Sequence, residues 1–232
     1  MGEQVLVFDL DDTLYLERDF ALSGFKAADA WLANHIGAEG FAGFCEAAAA
    51  SGQSGRVFDT ALAAMGIAVN EVLVTQLVGV YRGHRPEIAL ADDARRYLER
   101  ARAGRRAIIT DGPAATQQAK VKALGLEALV DRVIFTDLWG REFWKPHARA
   151  YEAIEAWAEL TPDNLVYVAD NPVKDFVTPR RRGWKTVMVA REERVHRIAA
   201  PHEAHQADRR ISDLDELDDA LRSLAAGEAV SR

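Results

Sequence analysis

Val5-Leu6-Val7-Phe8-Asp9-Leu10-Asp11-Asp12-Thr13 is the stretch from which the rest of the chain is read. Four consecutive apolar residues read as a strand buried in a parallel sheet. Three carboxylates follow within a few residues. Carboxylates gathered at the end of a buried strand resist desolvation and repel one another, so the fold must supply a cation there. The first core strand is thus expected to lead directly into a site for a metal and an anion.

Four further apolar runs lie downstream. Ala107-Ile108-Ile109 leads to Thr110-Asp111-Gly112, and Val133-Ile134-Phe135 leads to Thr136-Asp137. Leu165-Val166-Tyr167-Val168 leads to Ala169-Asp170-Asn171-Pro172, and Thr186-Val187-Met188-Val189 follows Gly183. Helical patterns separate them. Asp93 to Ala103 precedes Gly104, Ala114 to Leu124 precedes Gly125, and Ala148 to Ala158 carries Tyr151, Ile154 and Ala158 at helical spacing. Strand and helix alternate, which predicts an α/β fold with a doubly wound parallel sheet.

Between Asp9 and Ala107 the chain is far longer than one crossover helix needs. It reads as four helices, Phe20 to His35, Glu39 to Ala50, Val57 to Met65 and Glu71 to Tyr81, with Gly37, Gly40, Ser51, Gly52 and Gly55 as punctuation. We therefore expect an inserted helical domain over residues 16–85, with residues 1–15 and 86–232 forming the α/β core domain.

Composition narrows the partners. The 232 residues carry a net charge of -7, which argues against broad attraction to nucleic acid or an anionic membrane. Arg180-Arg181-Arg182 is the densest basic run and reads as a solvated helix face. The single cysteine, Cys45, rules out an internal disulfide and a multi-cysteine zinc site, and reads as a small buried hydrophobe. Charged residues arrive at Glu3 and Asp9, unlike a secretory signal, and no apolar run reaches spanning length. A cytoplasmic soluble protein is the expectation.

In an open α/β sheet, ligands bind beyond the carboxyl ends of the strands. Those exits offer Asp9, Asp11 and Thr13, then Thr110 and Asp111, then Asp170 and Asp175, with Lys145 ahead of Pro146 on the connection after Thr136-Asp137. Carboxylates for Mg²⁺, with a hydroxyl and a lysine for phosphate oxygens, are the parts of phosphoryl-transfer chemistry. A calcium loop starting at Asp9 fails, with Leu14 and Phe20 at positions that need Gly and Glu. No GxxxxGK or GxGxxG element occurs, and His202-Glu203-Ala204-His205 is one residue short of the zinc-protease spacing and reads as a solvated tail.

The four motifs, Asp9-Leu10-Asp11-Asp12-Thr13, Thr110, Lys145-Pro146, and Asp170 with Asp175, resemble in order those of the haloacid dehalogenase superfamily of phosphohydrolases. The insertion resembles that family's helical cap of the first type. The resemblance implies a Rossmann-like core. It implies Asp9 as nucleophile, forming an aspartyl-phosphate, and Asp11 as acid and then base. It further implies Mg²⁺ held by Asp9, the main-chain carbonyl of Asp11 and Asp170, with Asp175 in direct or indirect support, and Thr110 and Lys145 on phosphoryl oxygens. If the first strand continues, Asp9 and Asp11 face one side about 7 Å apart. Asp12 and Asp111 are expected to act through backbone hydrogen bonds, Thr13 to support its loop, and Asn171 either to turn the chain or to touch the metal. Family members that cleave carbon–halogen bonds lack the second carboxylate, so Asp11 favours a phosphatase of a small phosphorylated metabolite, a sugar phosphate or a nucleotide monophosphate. Phosphomutase and dehalogenase activities of the same family are the alternatives, with a receiver-type phospho-acceptor module as one from another class. Arg18, Lys26, Trp31, Arg82 and His84 are the insertion's candidates for substrate contact.

Overall fold

The computed structural model describes residues 3–52, 55–100, 104–195 and 197–226. The chain divides into two compact units, Met1–Glu17 with Ala89–Arg232, and Arg18–Ile88.

The first unit is built on a six-stranded sheet of order β3-β2-β1-β4-β5-β6. Its strands are β1 (Val5–Phe8), β2 (Arg105–Thr110), β3 (Arg132–Phe135), β4 (Leu165–Ala169), β5 (Lys185–Val189) and β6 (Arg209–Ile211), every neighbouring pair parallel. β1 sits centrally, pairing β2 through Val5 and Arg105 and β4 through Val5 and Leu165. The chain winds outward to β3 on one side of β1 and then to β6 on the other. The order therefore reverses between β1 and β4, where a parallel sheet opens its binding crevice. The five sequence-read strands are present; β6 was missed because three residues flanked by polar chain carry no period-two signal.

Helices α5 (Asp92–Glu99), α6 (Ala114–Ala123), α7 (Arg149–Ala158), α8 (Val177–Arg181) and α9 (Leu217–Ala225) belong to this unit. Tyr151, Ile154 and Ala158 of α7 pack with Val5, Val7, Ile109, Tyr167 and Trp184 in one core, which is why these positions recur at helical spacing. Pro179 lies in the first turn of the five-residue α8, where its missing N–H breaks no helical bond, and the chain leaves the helix through Gly183 at φ 84°. Arg191 forms a two-point ion pair with Asp93 at 2.8 and 2.7 Å, and its guanidinium also donates to the Thr13 carbonyl at 2.8 Å. This buried contact joins α5 to the loop that follows β1.

The second unit carries α1 (Glu17–Ile36) from Arg18 on, α2 (Phe41–Ala50), α3 (Val57–Ala64) and α4 (Glu71–Gly83). Asn70 caps α4 by accepting from the Leu73 N–H at 2.9 Å. Phe25, Leu32, Phe41, Phe58, Leu62 and Leu77 form a separate core, with Cys45 buried among them. Burial, with Asp29 and Glu46 nearby, pushes the Cys45 thiol up to about 12, so it behaves as a hydrophobe. Among the described residues no helix is long and apolar enough to cross a membrane.

Candidate active site

The end of β1 sets the geometry. The Asp9 N–H donates to the Val168 carbonyl at 2.9 Å, the last rung between β1 and β4. The strand then stops, so the condition on which Asp9 and Asp11 would share one strand face is not met. The Leu14 N–H bonds back to the Leu10 carbonyl at 3.0 Å, closing a turn. Asp12 sits in that turn at φ 53°, a left-handed conformation that aspartate tolerates. Its carboxylate accepts from the Glu17 N–H at 2.9 Å and the Val195 N–H at 2.6 Å. Asp12 is thus the clasp of the loop, as its expected backbone role required.

Asp9, Asp170 and Asp175 each offer a carboxylate oxygen, all within 4.8 Å of one another and all buried. Asp9 and Asp175 flank Lys145, whose Nζ lies 2.6 Å from Asp9 Oδ1, 2.9 Å from Asp175 Oδ1 and 3.0 Å from the Tyr167 hydroxyl. Asp170 Oδ2 is buried with no hydrogen-bond partner among the described residues. Burial, reinforced by Asp9 and Asp175, pushes the Asp170 carboxyl up to about 9, while burial also raises Asp9 against the pull of Lys145. Three buried carboxylates with one orphaned oxygen form a hard-oxygen donor set short of positive charge. That is the chemistry a Mg²⁺-class ion satisfies, so the residues fit the expected metal.

Asp11 is held from the opposite side. Lys120 Nζ lies 2.6 Å from Oδ1, the Gln117 amide donates to Oδ2 at 2.9 Å, and the Tyr15 hydroxyl donates to Oδ1. Burial pushes this carboxyl up, but Lys120, Tyr15 and Gln117 outweigh it and leave Asp11 below the ordinary carboxylate value. Gln117 also bonds the Thr110 hydroxyl, which is buried at the end of β2. Thr110 therefore meets Asp11 through the Gln117 amide. Asp111 accepts from the Lys145 N–H at 3.1 Å and the Thr136 hydroxyl at 2.7 Å, pinning the loop that carries Lys145. Asn171 turns its loop by accepting from the Val173 N–H at 3.0 Å, and Asp175 accepts from the Asn171 N–H at 3.1 Å.

A cavity of about 310 Å³ opens between these loops. Asp9, Asp11, Asp111 and Asp170 line it, with Lys145, Asn171 and Gly112. Thr110 and Asp175 stand behind the wall. Three further lining residues, Glu17, Trp144 and Lys174, were not singled out from sequence, nor were Gln117 and Lys120. Burial, with Asp11 close by, pushes Glu17 up to about 7. The available signals were faint: Gln117 and Lys120 lie three residues apart on the helix after Thr110, and Lys174 lies between two site acids.

Two expectations are corrected. In the basic run, Arg180 reaches Asp208 at 3.3 Å and Arg182 reaches Glu155 at 2.6 Å, leaving Arg181 alone exposed. His202 to His205 is no tail, since β6 follows it, and His205 Nδ1 sits 3.1 Å from the Pro172 carbonyl. Within the second unit, His84 is engaged in packing: it bonds the Ser23 hydroxyl at 3.0 Å and lies against the Phe20 ring. Trp31 stacks on His35 at 4.1 Å.

A family model described as hydrolase, haloacid dehalogenase-like hydrolase, matches residues 3–181. No curated protein matches the chain. Among solved structures, a predicted phosphoglycolate phosphatase from Haemophilus somnus is similar at TM-score 0.66 and 17% identity, over 94% of this chain and 98% of that one. The 2-haloacid dehalogenase of Pseudomonas syringae gives 0.64 and 20%, over 95% and 99%. The L-2-haloacid dehalogenase of Xanthobacter autotrophicus gives 0.62 and 18%, over 96% and 99%. At these identities the likeness is one of fold.

Proposed function

The chain belongs to the haloacid dehalogenase-like hydrolases, and on that premise we propose that it is a Mg²⁺-dependent phosphatase of a small phosphorylated metabolite. The observation that carries this reading is Asp11. Its carboxylate lines the same cavity as Asp9 and is fixed there by Lys120 and Gln117. A departing halide is a stable anion and needs no proton, whereas a departing alkoxide does. A second, oriented carboxylate has work to do only in the second case.

In this reading an Asp9 oxygen attacks phosphorus, the bond from phosphorus to the leaving oxygen breaks, and Asp11 gives that oxygen its proton. Water then attacks the aspartyl-phosphate, Asp11 takes the water proton, and Asp9 and inorganic phosphate are released. Lys120 favours the ionised carboxylate, the form this second step needs. The resemblance implies Thr110 and Lys145 at the phosphoryl oxygens, and the Lys145 ammonium already meets Asp9, Asp175 and the Tyr167 hydroxyl. Asp9, Asp170, Asp175 and the main-chain carbonyl of Asp11 would hold Mg²⁺, which supplies neutralisation of the charge gathering on the phosphoryl group. Residues 16–85 are read as the cap domain and residues 1–15 and 86–232 as the core domain, and the setting as cytoplasmic.

A panel of sugar phosphates and nucleotide monophosphates, with p-nitrophenyl phosphate and 2-chloropropionate beside them, tests the reading. Mg²⁺-dependent phosphate release that Asp9→Asn lowers by at least ~10³-fold is the expected result. Chloride release without added metal would make the protein a dehalogenase instead. Transfer of phosphate to a second substrate hydroxyl would make it a phosphomutase.

A further inference from the structure

We infer that Lys174 is the residue whose ammonium receives the anionic oxygens of the substrate's phosphoryl group, while Lys145 serves to hold the nucleophile. The inference deepens the phosphatase reading and rests on it. An ammonium has three N–H donors. Those of Lys145 meet three acceptors, Asp9 Oδ1 at 2.6 Å, Asp175 Oδ1 at 2.9 Å and the Tyr167 hydroxyl at 3.0 Å. Its side chain is 0% exposed, so it offers the cavity little besides its charge. Lys120 is drawn to Asp11 at 2.6 Å and is itself buried.

Lys174 differs on each count. It lines the cavity and its side chain is 33% exposed. Its ion-pair partner among the described residues is Asp111 Oδ2 at 3.8 Å, beyond direct hydrogen-bond reach. The other oxygen of Asp111 is taken up by the Lys145 N–H and the Thr136 hydroxyl. The base of Lys174 is fixed, because its N–H and that of Asp175 both bond the Asn171 carbonyl, at 3.3 and 3.0 Å. The result is a cation aimed by its loop, with donors left for a ligand, in a cavity otherwise rich in carboxylate. A dianionic phosphoryl group entering among Asp9, Asp11, Asp111 and Asp170 needs such a contact to offset repulsion.

Inorganic phosphate, as product inhibitor of p-nitrophenyl phosphate hydrolysis by the Mg²⁺-loaded full chain, is the probe. Lys174→Met should raise the phosphate inhibition constant and KM about 10- to 100-fold, and Lys174→Arg should restore both to within a few-fold. Melting temperature should stay near wild type, since the present pairing with Asp111 is long. Should Lys174→Met prove unstable, Lys174→Gln carries the same expectation. A wild-type inhibition constant in the folded variant, with wild-type turnover intact, overturns the assignment and leaves the phosphatase reading standing. A wild-type protein that neither turns over the ester nor binds phosphate overturns both.

Discussion

Lysine and aspartate pair repeatedly in the core unit, and the partner decides what each carboxylate can do. Asp9 is screened by Lys145, Asp11 by Lys120, and Asp170 by neither within ion-pair distance among the described residues. For Asp11 the sign is clear. Burial alone would raise its carboxyl, and Lys120 is the largest opposing influence. Lys120→Met should therefore lift the Asp11 value and move the alkaline limb of the kcat/KM profile, set by the proton Asp11 gives the leaving oxygen, to higher pH, while Lys120→Arg leaves it near wild type. An unmoved limb would show that Asp11 is not the group titrating. The sequence placed Asp9, Asp11, Lys145 and Asp170 at one end of the sheet because each follows a strand or its connection. It was silent on Lys120, Gln117 and Lys174, whose roles depend on which way a helix face or a loop side chain points.

Helix contacts carry predictions of another kind. On α5, Asp93 is buried, and burial opposes its ionisation. The bonds from Arg191 and the Leu214 N–H, and the Arg191 charge, outweigh that and hold the carboxyl below its ordinary value. A carboxylate depressed in the fold stabilises above its unfolded value near ~4, and the gain is lost as pH falls through the folded value. Asp93→Asn should cost about 3–5 kcal/mol at pH 7 by leaving the Arg191 charge unmatched. Denaturant melts should show the gap between variant and wild type narrowing below about pH 4. In the second unit, a Cβ built on Gly24 of α1 would lie 2.4 Å from a Tyr81 ring carbon. Gly24→Ala should cost about 1–3 kcal/mol through overpacking despite alanine's better helix propensity, read as a lowered melting midpoint. Helix periodicity was legible in both units, but not this glycine, because a close approach between α1 and α4 leaves no mark on either segment alone.

At the scale of the whole chain, charge and connectivity matter most. Asp170, pushed up to about 9 by burial and its acidic neighbours, binds a proton in the fold that the unfolded chain releases near pH 4. Stability without divalent cation should therefore fall as pH rises between these values, and Mg²⁺ should raise the melting temperature most at the alkaline end. Equal melting curves with Mg²⁺ and with chelator at pH 8 would count against the metal site. The two segments of the core unit meet where the Ala91 N–H donates to the Leu14 carbonyl at 3.0 Å. A short Gly-Ser linker in place of residues 18–88 should thus leave a unit that melts cooperatively by circular dichroism. By itself the sequence determined the family, the parallel α/β core, the helical insertion and the chemistry available at the strand ends, because hydrophobic period and strand-end residue type are local properties. Only the tertiary structure decided how that chemistry is shared: which lysine neutralises which carboxylate, and that β1 stops so that a turn delivers Asp11. Those outcomes depend on distances of a few ångströms between segments far apart in the chain, and burial there decides which charges are matched and which still await a ligand. The acids were legible as a group, and their division of labour was a property of the fold.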